Sequence, residues 1–361
     1  MKTKVISQIH TACTRTLRSS KASSTTDAIR ASQKHIDSAS QRSERSCFTT
    51  LKDWFSAKIY KTQRALFIKP MYNLTLSLGE KEFTQYIAKN FNKIKTQLLS
   101  SKIEKTFIEK IQKCKTPEEI TQVIKEIKLA ETLKTSDIQN QALLNSSLSA
   151  SKKQKILQDA EKEYYSKMFN LEKALSIKST DKRVLEIEEI LRNKYGMEFV
   201  SLKNDYAQAK NILEACELMV KKGEPIPKNY IVSNMMVGTG QALRTESCVL
   251  VATTSLNKFL NPTNAKAKNF HSVENKLHTI IHEFGHCKQG NAIELIEIPK
   301  HLKKVPKTVS KYAKISSNAE LWAELYAKVH LAPQEVTKEQ WELFRYMESQ
   351  ILKTNKLNTF T

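Results

Sequence analysis

Seven glycines in 361 residues narrow the folds open to this chain more than any other count in it. Glycine supplies the positive-φ turns that β-rich folds use again and again. A chain this poor in glycine has to be built mainly from helices. Six of the seven lie beyond residue 195, and six of the eight prolines beyond residue 220. Tight turns are therefore crowded into the C-terminal half, and any sheet belongs there. Hydrophobic residues at 40% and charged residues at 27% allow a sizeable core and exclude disorder throughout. The length fits two or three domains.

The pattern along the chain divides it into three. Residues 1–50 hold 18 Ser or Thr, nine basic and three acidic residues and few bulky apolar ones, so they are expected to be a disordered tail. Their composition resembles a mitochondrial transit peptide and, equally, the leaderless export segment of a bacterial effector. Residues 51–180 read as a helical scaffold or partner-binding domain. Ile103, Phe107, Ile108 and Ile111 recur at helical spacing, and Ile120, Val123, Ile124 and Ile127 form an apolar stripe. Thr116-Pro117-Glu118-Glu119 has the composition of a helix start. Another long helix is expected from about Ser151 to Ile177. From Asp181 to residue 361 the pattern becomes α+β. Helices are expected at Lys182–Lys194 and Tyr206–Lys221. Short strands are expected at Met197–Leu202, Tyr230–Val237 and Cys248–Thr254, with Gly238-Thr239-Gly240 as a turn. Helices follow to the end.

The net charge is +22, with 33 basic and 17 acidic residues in 1–180 against 26 and 20 in 181–361. Most of the cations are lysines spread along helix faces, so a specific nucleic-acid partner is not expected, although weak association with an anionic membrane stays open. Six widely spaced cysteines with no CxxC pair predict no disulfide framework and a reducing workplace. No apolar run approaches a membrane span, and without an apolar stretch in the first residues no ordinary secretory signal is expected.

The chemistry concentrates in His282-Glu283-Phe284-Gly285-His286, an HExxH motif. On a helix, positions i and i+4 share a face, so both imidazoles can reach one metal ion while the glutamate reaches a water beside it. Chance gives about 0.015 such matches in a chain of this composition. Leu277, Ile280, Ile281 and Phe284 supply the apolar stripe of a buried helix. Ser272 is the expected N-cap, Gly290 the expected stop, and Gly285 the place where a neighbouring backbone comes close. Cys287 follows the second histidine by one residue and points off the metal face.

A third ligand has to come from elsewhere. The metzincin extension needs Gly at 289 and His at 292, where this chain has Gln289 and Ala292. Ser317-Asn318-Ala319-Glu320-Leu321-Trp322-Ala323-Glu324 offers two acids one turn apart. Glu320 is the leading candidate, although Ser317-x-x-Glu320 is also a capping box. Glu324 stays open as the alternative, as do His301 and His330. With Glu320 on the metal, Glu324 would hold the N–H of a metal-bound histidine.

HEFGH, followed by Tyr312 and by Asn318-Ala319-Glu320-Leu321-Trp322-Ala323-Glu324-Leu325, resembles the catalytic domain of anthrax lethal-factor-type gluzincin zinc endopeptidases. The resemblance covers about residues 181–350. It implies a zincin-like metallopeptidase domain with Zn²⁺ held by His282, His286 and Glu320. Glu283 would be the general base, and Tyr312 would donate to the oxyanion. It also implies a protein or peptide substrate lying along the Cys248–Thr254 strand as the sheet edge. Family members include bacterial toxins and secreted effectors acting on host cytosolic proteins, which implies leaderless secretion and work in a reducing host cytosol. A cytoplasmic protein is the alternative for location. A partner-binding module with a structural or vestigial zinc site is the alternative for function.

Overall fold

The computed structural model describes residues 69–260, 271–289, 293, 296–315 and 317–358. The tail over 1–50 and the helix stop at Gly290 lie outside the described residues. The architecture is a helix-rich mixed α/β fold around a four-stranded sheet.

The N-terminal helices are α1 (Lys69–Ser77), α2 (Glu80–Lys89), α3 (Phe91–Leu99), α4 (Lys105–Lys113), α5 (Pro117–Leu144) and α6 (Ala150–Ala174). The start of α5 follows from its sequence. Thr116 accepts from the Glu119 N–H, the Glu119 side chain reaches back to the Thr116 backbone, and Pro117 sits where no N–H is needed. Next come α7 (Lys182–Asn193), β1 (Phe199–Ser201), α8 (Tyr206–Lys221), β2 (Asn229–Ser233), β3 (Gly240–Leu243), β4 (Cys248–Ala252) and α9 (Thr254–Leu260). The sheet order is β1-β2-β4-β3. β1, β2 and β4 run parallel, and β3 pairs antiparallel with β4 at the edge. The remaining helices that bear on the site are α10 (His278–Gln289), α11 (Pro306–Val309), α12 (Lys311–Ile315), α13 (Asn318–Leu331) and α14 (Lys338–Asn358).

Three sequence expectations change here. Gly238-Thr239-Gly240 is not simply a turn, because Gly240 opens a strand. Cys248–Thr254 is not the edge either: β4 lies between β2 and β3, and β3 is the edge beside α10. Gly-Gln-Ala-Leu has no β-branched residue, and its strand conformation comes from pairing with β4 rather than from propensity. The expected Tyr230–Val237 strand also stops early, at Ser233, whose Oγ accepts from the Met235 N–H in a local turn.

Strand alternation decides the layers. Tyr230, Val232, Val249 and Val251 face a core built with α7, α8, α10, α13 and α14. Ile231, Cys248, Leu250 and Ala252 face the opposite side and pack with α1–α6. The described helices of the region read as a scaffold, α1–α6, thus form a second layer over the sheet. A buried ion cluster ties that layer down. Glu172 of α6 accepts from Lys128 Nζ at 2.5 Å and Ser233 Oγ at 2.8 Å, and Lys128 also donates to the Met235 carbonyl at 2.5 Å. Among the described residues no helix is long and apolar enough to cross a membrane.

Candidate metal centre

Helix α10 carries His282, Glu283 and His286 into a cleft, and all three are almost fully buried or nearly so. Helix α13 packs against α10 and brings Glu320 to the same point. The close approach needs Gly285: a Cβ there would stand 3.1 Å from Tyr326 Cβ and 3.2 Å from Ala323 Cα. Trp322 locks the contact by donating its indole N–H to the Gly285 carbonyl at 2.8 Å. Ser317 caps α13 by accepting from the Glu320 N–H, while the Glu320 carboxylate turns to the histidines rather than completing a capping box.

Nε2 of His282 lies 3.1 Å from Nε2 of His286 and 3.1 Å from Glu320 Oε2, and the third separation, His286 Nε2 to Glu320 Oε2, is 3.4 Å. A tetrahedral zinc ion with bonds of about 2.0–2.1 Å has donor–donor edges of about 3.3 Å. The far nitrogens of both rings are held from behind. His282 Nδ1 lies 3.1 Å from Glu324 Oε1, and the His286 Nδ1–H donates to Gln289 Oε1 at 3.0 Å. With the ring hydrogens on Nδ1, both Nε2 lone pairs and a carboxylate oxygen point at one another. Such a donor set could hold a metal ion, and its residue types and separations fit zinc.

A proton can take that place. Burial pushes His282 down, but Glu320 and Glu324 outweigh it and hold the pKa at about 10. His286 is likewise raised against burial by Glu320. The histidines hold Glu320 well below the usual carboxylate range despite its burial. Glu283 goes the other way: burial raises its pKa, opposed in part by the two histidines and by the Ala242 N–H of β3. Gly240 leaves the space that Glu283 uses, since a Cβ at 240 would lie 2.7 Å from Glu283 Oε1.

Tyr312, on α12, lines the same cleft, its ring centroid 6.1 Å from that of His282. Glu324 stands behind His282 rather than among the converging Nε2 atoms. His301 is on the surface against Glu342 at 2.8 Å, and His330 faces Glu224 at 3.6 Å, so neither joins the cluster. Cys287 faces the sheet, its Sγ 4.0 Å from the Cys248 carbonyl, and burial pushes its thiol up. The four described cysteines are free. Ser272 does not cap α10, which starts at His278. Its N–H donates to Glu324 Oε2 at 2.6 Å and its Oγ to the Glu324 carbonyl at 2.8 Å. Gln289 and His278 were missed by the sequence reading. The signal for His278 was present: it stands four residues before His282, on the same helix face.

The cleft has a volume of about 680 Å³. One wall is α10 with β3; the other is the α5–α6 hairpin, with Gln139, Gln154, Gln158 and Tyr165 facing in. Arg244, just after β3, pairs with Glu161 of α6 across the floor. Compared with protein-family models, curated proteins and solved structures, the chain gives no match.

Proposed function

We propose that this protein is a zinc-dependent metalloendopeptidase of the gluzincin type, with a zincin-like C-terminal region. The observation that carries the reading is the convergence of His282 Nε2, His286 Nε2 and Glu320 Oε2 at 3.1–3.4 Å, with a buried carboxylate beside them in an open cleft. Held by His282, His286 and Glu320, zinc would supply Lewis acidity that makes water a better nucleophile and polarises a carbonyl. Glu283 takes the proton of the attacking water and returns it to the leaving amine. Burial raises its pKa above the ordinary value. Tyr312 donates to the oxygen that gains charge. Glu324 and Gln289 fix the imidazole orientations. The substrate is a protein or peptide in extended form, lying in the cleft along β3. The secreted-effector role rests on the sequence resemblance alone.

Elemental analysis of purified protein should give about one tightly held zinc, lost in Glu320→Ala. Glu283→Gln should keep that zinc and lower cleavage of a peptide library by about 10²–10⁴-fold. Unchanged cleavage by Glu283→Gln would overturn the mechanism. Zinc in neither the wild type nor reconstituted protein would remove the reading altogether. Zinc present without cleavage of any peptide would favour the partner-binding module.

A further inference from the structure

Glu324 has more nitrogen around it than one carboxylate oxygen can serve. Its side chain is fully buried, and Oε2 is taken by the Ser272 N–H at 2.6 Å. Oε1 faces three imidazole nitrogens: His282 Nδ1 at 3.1 Å, His278 Nε2 at 3.2 Å and His271 Nδ1 at 3.8 Å. A carboxylate oxygen offers two lone-pair directions. His282 needs one of them if its N–H is to be oriented. The other is left facing both His278 and His271, whose ring centroids are 4.5 Å apart. Ser272 Oγ, 3.4 Å from His278 Nε2, already donates to the Glu324 carbonyl.

We propose that His271 Nδ1, His278 Nε2 and Glu324 Oε1 form a second binding site for a divalent transition-metal ion of the zinc type, sharing Glu324 with the first centre. The three donor atoms lie within 4.8 Å of one another. Two imidazoles and a carboxylate are the donor set that zinc and its neighbours prefer. The 3.2 Å separation already suits a tetrahedral edge, and the 3.8 Å one exceeds it by about half an ångström. The His271 ring is about one-third exposed, whereas His278 and Glu324 are buried and fixed. All three residues line the same cleft as the first centre, so an ion reaches both from solvent and water can complete the coordination.

Sharing Glu324 couples the two ions. A cation on Oε1 withdraws the negative charge that His282 Nδ1–H leans on, so the second ion weakens the first, and the first weakens the second by the same factor. If the peptidase reading holds, excess zinc inhibits cleavage in the wild type and not in His271→Ala; that consequence rests on the reading, while the site itself does not.

The test is equilibrium dialysis of the metal-free full chain against Co²⁺, with bound metal counted by elemental analysis. The expected result is about two ions per wild-type chain and one in each of His271→Ala and His286→Ala, with the His271 change weakening only the second event, at least tenfold. His271→Gln, close in size but without the imidazole, repeats the test if the alanine variant loses its helical circular dichroism. One ion in the wild type, kept in His271→Ala and His271→Gln and lost in His286→Ala, overturns the second site and leaves the first. One ion lost in His271→Ala and kept in His286→Ala upholds the second site and overturns the first. No bound Co²⁺ in any of them overturns both.

Discussion

Two acids one helical turn apart, Glu320 and Glu324, grip opposite nitrogens of the same imidazole. That arrangement gives His282 its pKa of about 10 in a buried position, where burial alone would push it down. Below that value His282 carries a proton that a metal ion must displace. Zinc binding at pH 7 should therefore release about one proton or more per ion. The apparent affinity should rise at least about tenfold per pH unit between pH 6 and 8. Calorimetry in buffers of different ionisation enthalpy counts the protons directly. An affinity flat across that interval would mean that His282 is already neutral. Glu283 is set differently, because its burial, which raises its pKa, is offset only in part by the two histidines and by one backbone N–H.

At the scale of elements the site depends on α10 being held between β3 and α13. Gly240 and Gly285 are the two contact points: an added Cβ would come within 2.7 Å of α10 atoms at Gly240 and would be tight, at 3.1 Å, against α13 at Gly285. Gly240→Ala puts a Cβ 2.7 Å from Glu283 Oε1 and 2.8 Å from Thr279 Cγ2, so Glu283 or the strand has to move. The expected outcome is zinc retained, peptide cleavage reduced more than tenfold, and stability lowered by about 1–3 kcal/mol. Wild-type turnover in that variant would show that Glu283 needs no fixed position against β3. On the other side, Trp322 is fully buried and stacks on Phe344 of α14 with centroids 5.1 Å apart. Trp322→Ala removes that packing together with the bond to Gly285, and urea unfolding should show a loss of about 3–5 kcal/mol. A loss below 1 kcal/mol would mean that α13 is not held to α10 in this way.

For the molecule as a whole, the sheet is covered on both faces, and the helices before residue 180 form both a core layer and one wall of the cleft. The junction of that layer contains a second buried cation, Lys203. It lies 3.8 Å from Glu172 Oε2, and burial lowers its pKa to about 8 in spite of that carboxylate. Between pH 8 and the ordinary lysine value of 10.5, the unfolded chain holds this proton and the folded chain does not. Stability due to Lys203 therefore rises with pH across that interval. The stability of the wild type relative to Lys203→Met should increase by roughly 3 kcal/mol between pH 8 and 10.5. Parallel unfolding curves for the two proteins across that range would show that Lys203 is not held as a desolvated cation.

The sequence alone determined what depends on neighbours along the chain. Helical periodicity and the Thr116 cap placed the long helices, β-branched runs placed β2 and β4 approximately, and i, i+4 spacing put His282 and His286 on one face. These are local rules, set by the backbone's own geometry. Tertiary structure decided everything that depends on partners distant in sequence. It made Gly240–Leu243 an edge strand through pairing with β4. It turned Glu320 from its own helix terminus to His282, 38 residues away, and to His286. It also brought Glu324 behind His282, with Ser272 bonded to it, and made the helices α5 and α6 the far wall of the cleft. A short strand of ordinary residues, or a carboxylate with two possible partners, has no local preference strong enough to settle its place, so the packing of α10 against α13 and of the sheet against α5 and α6 settles it instead.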